Sequence, residues 1–438
     1  MNDADLVARR KATLGPTYQN FYDQPLHLVR GSGTKLWDVD GRQYVDCYNN
    51  VVSVGHCHPH VVEALCKQAA TLNTHTRYLH ASIVELGEML VARMPTDIDT
   101  CIFTCTGSEA NDLATQIARH VTGNQGVAVT EASYHGVSEL TRRLSTDSYP
   151  LVDRPDWLAV IEPPNLYRGP WNRDDPTAGQ KYLEQARAQF DLLEQRGHKL
   201  AAVMIDLVWD SNGPLVAPAE YLLGLCAEVR KRGGLVIADE VQAGYCRSGE
   251  QWWTADIYGL KPDILTCGKP MGAGHPLALM ATKRNIIDNY SEQYHYFNTF
   301  GGNPVSAAVG KAVIEVIESE GLLQNARETG AYLEAGLREL ASRHDAIGDV
   351  QGRGLFWGLD MVSDRETRAA FSETQMRHLG SLIVEQGVIT GNSGRYGQIL
   401  KLRPPLVFSR TDADQTLAAI DSALQQMENE LYFDKHKA

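Results

Sequence analysis

Residues 101–120 read CIFTCTGSEANDLATQIARH: an apolar run, a Thr-Gly-Ser turn, then apolar positions at helical spacing. The pattern predicts a strand over 101–105 and a helix over 108–120, joined through Gly107. The same rhythm continues outward from it. Short apolar runs at 127–130, 157–161, 201–207, 235–238, 264–267 and 277–281 read as strands, and helical patterns at 181–196 and 219–232 lie between some of them. That alternation implies an α/β fold with a mostly parallel sheet covered by helices on both faces. Ligands of such sheets sit at the carboxyl ends of the strands.

Past residue 302 the character changes. Helices are expected at 304–319 and 322–343, then a smaller α+β unit with strands at 355–360 and 399–401 and a terminal helix from Asp412. Near the start, 35–39 and 44–46 flank the turn Asp40-Gly41-Arg42 and predict a hairpin.

Charge narrows the function. The 438 residues carry 41 Lys plus Arg against 54 Asp plus Glu, a net −13, which argues against nucleic acid or an anionic membrane as partner. An anionic small molecule is compatible with this balance, because it needs only one or two placed arginines. No stretch approaches the roughly 20 apolar residues that span a bilayer, and the N-terminal residues lack a secretory run. Eight cysteines lie scattered at 47, 57, 66, 101, 105, 226, 246 and 267 with no Cys-x-x-Cys. They read as reduced thiols, and the expected location is cytoplasmic.

Several segments carry chemistry. Thr106-Gly107-Ser108-Glu109-Ala110 puts a glycine and the first N–H groups of a helix where an anion such as phosphate can sit, although a Ser-capped helix reads the same way. Ile237-Ala238-Asp239-Glu240-Val241-Gln242 is an apolar strand ending in carboxylates, which burial makes costly unless a cation meets them. A protonated pyridine nitrogen suits Asp239; a salt-bridged strand end is the plain alternative. Lys269, in Thr266-Cys267-Gly268-Lys269-Pro270, follows a buried strand, where desolvation lowers an amine's pKa and makes it nucleophilic; a solvated loop lysine is the other reading. Tyr134-His135-Gly136 offers an aromatic for a flat ring, and Asn298-Thr299-Phe300-Gly301-Gly302-Asn303-Pro304 a Gly-rich turn before a helix. His56-Cys57-His58-Pro59 is not read as a metal site, since no second ligand cluster has suitable spacing and the His-Pro simply opens a helix over 61–70.

Taken in order, these segments resemble the class III aminotransferases, fold type I of the pyridoxal-phosphate enzymes. "LWDVDGRQYVDC", "VGHCHPHV", "TGSEANDLA", "IADEVQAGYCRSG", "CGKPMGAGHP", "NTFGGNP" and "GRGLFWGLD" all look like that family. The resemblance implies a seven-stranded, mostly parallel sheet in a large domain over 51–310, and a small α+β domain built from 311–438 together with the segment 1–50. It implies pyridoxal 5'-phosphate as cofactor, Lys269 as the Schiff-base lysine and proton shuttle, and Asp239 on the pyridine nitrogen. Tyr134 and Val241 would cover the ring faces, with His135 beside Tyr134 and Gln242 near the phenolic oxygen. Gly107 and Ser108 would bind the phosphate, joined by Thr299 of a second subunit in a homodimer.

Within the class, "DCYNNVVSVGHCHPHVVEAL", "LNTHTRYLH", "GKPMGAGHP" and "FNTFGGNPVSAAVG" look like ethanolamine-phosphate phospho-lyases and alanine–glyoxylate aminotransferase-like relatives. The resemblance implies elimination of phosphate from O-phosphoethanolamine or a similar phosphorylated amine. Amine:2-oxo-acid transamination is the alternative, and a non-catalytic scaffold a third reading that the intact Lys269, Asp239 and Tyr134 oppose. A departing phosphate needs cationic or polar donors; the candidates are Asn50, Arg77, Arg395 and Arg403. Where relatives have Glu-x-x-Gln-x-x-Gly-Gly, this chain has Asp206 and Trp209 in place of the glutamate and glutamine.

Overall fold

The computed structural model describes residues 3–18, 20–22, 24–147 and 154–435, with backbone alone for 431–435. A first sheet is built by β1 (Leu28–Ser32), β2 (Lys35–Asp38) and β3 (Gln43–Asp46). Seven strands form the central sheet: β4 (Thr100–Thr104), β5 (Gly126–Thr130), β6 (Leu158–Ile161), β7 (Leu200–Asp206), β8 (Leu235–Asp239), β9 (Ile264–Cys267) and β10 (Ala278–Thr282). A third sheet contains β11 (Ile347–Arg353), β12 (Phe356–Asp364), β13 (Ala369–Ala370), β15 (Gly391–Ser393) and β16 (Ile399–Leu402). Between them β14 (Val388–Ile389) pairs in parallel with β3, so the N-terminal hairpin shares a sheet with a C-terminal strand.

The central order is β4-β10-β9-β8-β7-β5-β6. Neighbours from β9 to β6 run parallel, and β10 is antiparallel to both β9 and β4. The fold is therefore the expected α/β, mostly parallel seven-stranded sheet. Its strands are near-continuous apolar runs because both faces are covered; every residue of β5, β7, β9 and β10 is buried. Helix Gly107–Thr122 turns Ala110, Leu113, Ala114, Ile117 and Ala118 onto one face at helical spacing. Each methylene buried there stabilises by about 0.8 kcal/mol.

Among the elements that the sequence reading does not predict are the helices Ala81–Val91 and Glu373–Glu385 and strand β11. ASIVELGEMLV, at 81–91, mixes apolar residues with Ser82, Glu85 and Glu88 over eleven positions, too short a stretch for its period to separate helix from strand firmly. The 61–70 helix begins earlier, at Pro59, with proline in the first turn. Beside it, His56 Nε2 pairs with Asp46 at 2.6 Å and His58 Nε2 with Glu320 at 2.9 Å.

Candidate active site

Strand ends and the loops after them meet in a cavity of about 330 Å³. Gly107 and Ser108 enter it from the turn after β4, and Tyr134 and His135 from the loop after β5. Asp239 is the last residue of β8, Val241 and Gln242 follow it, and Lys269 follows β9. All the predicted cofactor residues except Thr299 thus line one space. Thr299 is exposed outside it.

Local chemistry fixes these positions. The helix after β4 is capped by Thr106, not Ser108: Thr106 Oγ1 accepts from Glu109 N at 3.2 Å, while Glu109 Oε2 accepts from Thr106 N at 2.9 Å and Cys105 N at 2.8 Å. That reciprocal cap leaves the Gly107 and Ser108 N–H groups directed at the cavity. Ser108 Oγ instead accepts from Val137 N at 3.1 Å, bringing the Tyr134–Gly136 loop alongside. Gly107 has no room for a side chain, since a Cβ there would stand 2.9 Å from Val241 Cγ2.

Asp239 is 4% exposed. Its Oδ2 accepts from Asn111 Nδ2 and faces His135 Nδ1, each at 2.8 Å, and its Oδ1 accepts from Val241 N at 3.1 Å. Asn111 is in turn held by Thr266 Oγ1, which donates to its Oδ1 at 2.6 Å. Asn111 and Thr266 were not among the sequence candidates. Their signal is Asn111's place four residues after Gly107, on the same helix face as the turn.

Lys269 is half-buried and lines the same cavity, and its Nζ has no hydrogen-bond or ion-pair partner among the described residues. Burial and the nearby Arg403 cation push the ammonium below the ordinary lysine value, against the opposing pull of Asp210, Asp239 and Asp206. An unpaired amine, an anchored carboxylate, a helix N-terminus without side-chain bulk and an aromatic wall thus fit a phosphorylated, electron-poor pyridine.

The substrate candidates separate. Asn50 Nδ2 donates to Gln242 Oε1 at 2.6 Å, and Arg403 Nη1 donates to the same oxygen at 2.9 Å. Gln242 Nε2 then donates to Asp210 Oδ2 at 2.9 Å. Arg77 is exposed, with its guanidinium 3.9 Å from the centre of the Phe297 ring. Arg395 lines a different cavity of about 250 Å³ with Glu162, Arg168 and Arg368. Asp206, the shortened glutamate, lines the main cavity and accepts from Val208 N and Asp210 N. Burial and the neighbouring Asp210 and Asp239 raise its pKa to about 7.

The aminotransferase class-III family model matches residues 17–424. The chain belongs to the class III aminotransferases. An ethanolamine-phosphate phospho-lyase homolog 1 of Caenorhabditis elegans is 36% identical over 97% of this chain and 94% of its own length. A solved phospholyase from Arthrobacter, in complex with phosphoethanolamine, superposes with a TM-score of 0.93 at 38% identity, covering 96% of this chain and 99% of that one. A PLP-bound amine transaminase from an uncultivated Pseudomonas species gives 0.85 at 28%, covering 94% and 98%. Both branches of the class are therefore represented around this aminotransferase fold. No helix among the described residues is long and apolar enough to cross a membrane.

Proposed function

We propose that this class III family member is a pyridoxal-phosphate-dependent lyase that eliminates phosphate from O-phosphoethanolamine or a similar small phosphorylated amine. The observation that carries the reading is the likeness to the phospholyase bound to phosphoethanolamine, at 38% identity against 28% for the amine transaminase. Pyridoxal phosphate is the cofactor the residues fit. When bound it supplies an aldehyde carbon for amines and a ring that takes up electrons from a breaking C–H bond.

The chain's own groups then have distinct tasks. Asp239, fixed by Asn111 and His135, presents a carboxylate where the pyridine nitrogen would lie and keeps that nitrogen protonated. Gly107 and Ser108 offer N–H groups to the cofactor phosphate, and Tyr134 and Val241 bound its ring faces. Gln242 would stand near the phenolic oxygen. Lys269, its ammonium destabilised by burial, takes the proton from the carbon bearing nitrogen. Arg403 and Asn50, tied together through Gln242, are the donors placed to hold a departing anion. Hydrolysis of the enamine product completes the balance: O-phosphoethanolamine and water give acetaldehyde, ammonia and phosphate.

A homodimer belongs to this reading, because exposed Tyr78, Leu79, Phe297 and Phe300 leave an apolar surface for a second copy to cover. Thr299 of that copy would complete the phosphate site. The deciding experiment incubates the protein with O-phosphoethanolamine, with and without pyruvate, and assays phosphate and alanine. Phosphate without a keto acid is the expected result. Alanine formation without phosphate release would replace the lyase by the transaminase.

A further inference from the structure

Strand β16 carries Lys401, and Arg403 follows just past its end. Two residues apart, they share one face. Opposite Lys401 on both neighbouring strands the register places glycine, Gly358 of β12 and Gly391 of β15. Residues directly opposite across antiparallel strands stand on the same face, so Lys401 rises through a lane without side chains. An added Cβ at Gly358 would collide with Pro214, and one at Gly391 with Tyr48. Pro214 and Tyr48 lie beside Asp210 and Asn50 in sequence, and both of those side chains hydrogen-bond Gln242, which lines the cavity.

Lys401 is 6% exposed, and its Nζ lies 3.1 and 3.3 Å from the two oxygens of Asp210. Arg403 Nη1 lies 3.5 Å from the same carboxylate, and Arg403 Nε donates to Tyr48 O at 3.1 Å. One carboxylate serves two buried cations, while Asp206 faces backbone N–H groups. A buried cation short of counter-charge is costly. A carboxylated substrate needs one such cation, whereas a phosphate monoester, carrying close to two negative charges at neutral pH, matches two.

We propose that Lys401 is a specificity-determining residue that, with Arg403, receives the doubly charged end of the substrate, with Asp210 keeping that place until the substrate exchanges for it. Asp210 follows Trp209, whose φ of +48° is left-handed, and Gly213 at φ +91° ends the turn. The carboxylate is thus carried on a short turn rather than on a strand. This inference rests on the lyase reading and names the residue that selects its substrate.

The test measures binding of two probes to the holoenzyme. One is 2-aminoethylphosphonate, whose phosphorus is bonded directly to carbon, so that it carries the charge without a leaving oxygen; the other is 3-aminopropanoate, with a single negative charge in the same place. Native protein is expected to bind the phosphonate at least about 10-fold tighter, and Lys401→Met to lose about 10-fold of that preference. The double variant Lys401→Met/Asp210→Asn removes one charge of each sign, so it keeps the buried balance if the single variant fails to fold. It is expected to match native melting temperature and cofactor content and still to lack the preference. Lys401→Arg is expected to keep the preference within about threefold. An unchanged preference in the folded double variant overturns the inference and leaves Lys401 as Asp210's structural partner. Phosphate release from O-phosphoethanolamine by native protein is assayed separately, and its absence sinks the lyase reading together with this one.

Discussion

The two ends of the candidate site, the cavity and the buried polar cluster that reaches it through Gln242, are built by different rules. The cofactor end takes Gly107, Asp239 and Lys269 from strand termini, each beside small or apolar neighbours in sequence. The substrate end joins Asn50, Asp210, Gln242, Lys401 and Arg403, which come from three sheets and the loops between them. The first is a set of points held by one sheet. The second exists only after the chain's two ends have packed on that sheet, so its precision depends on long-range contacts.

That contrast can be pressed experimentally. The largest effect is expected from Lys269→Ala, which removes both the amine and the base: phosphate release should fall by about 10³-fold or more. Borohydride treatment with pyridoxal phosphate should then fix no label on the peptide containing residue 269. Asp239→Asn keeps the shape but not the charge, and should lower the rate about 100-fold while melting temperature changes little. A collapse of the fold would instead make Asp239 chiefly structural.

A buried group next to Asp239 in sequence, outside both ends, should respond to pH and not to substrate. Glu240 is fully buried; its Oε1 accepts from Ala255 N, its Oε2 has no partner among the described residues, and burial lifts its pKa from 4.5 to about 8. The folded protein keeps a proton that the unfolded chain sheds, so stability falls as pH rises from 4.5 to about 8 and levels off above. The slope is at most about 1.4 kcal/mol per pH unit. Glu240→Gln should flatten urea midpoints measured across that window. The smallest effect is expected from Arg395→Ala. Arg395 belongs to the neighbouring cavity, so kcat/KM for O-phosphoethanolamine should change less than about twofold. A larger loss would extend the substrate end beyond Arg403.

The same contrast explains what could be read from residue order. Gly107, Asp239 and Lys269 announce themselves because an apolar strand ends and a polar or glycine residue follows at once. The sheet is legible for the same reason, period and punctuation. Asn111 and Thr266 hide inside a helix and a strand as ordinary polar residues, and only the folded register shows both serving Asp239. Lys401 lies in an apolar strand two residues before an arginine, with nothing local to mark the glycines across from it. Ser108 suits either a phosphate or a helix cap by its type alone; the reciprocal bonding of Thr106 with Glu109 takes the capping role.

The antiparallel β10 has a mechanical outcome. It starts at Ala278, beside the end of β9, so residues 268–277 form a short loop pinned at both ends by Leu279 paired with Cys267. Lys269 therefore hangs on a bridge with two nearby piers, whereas Asp239 leads into a long excursion before the chain re-enters the sheet. Lengthening that bridge by even one residue would swing the amine without disturbing either pier. Its span is under tighter constraint than its composition.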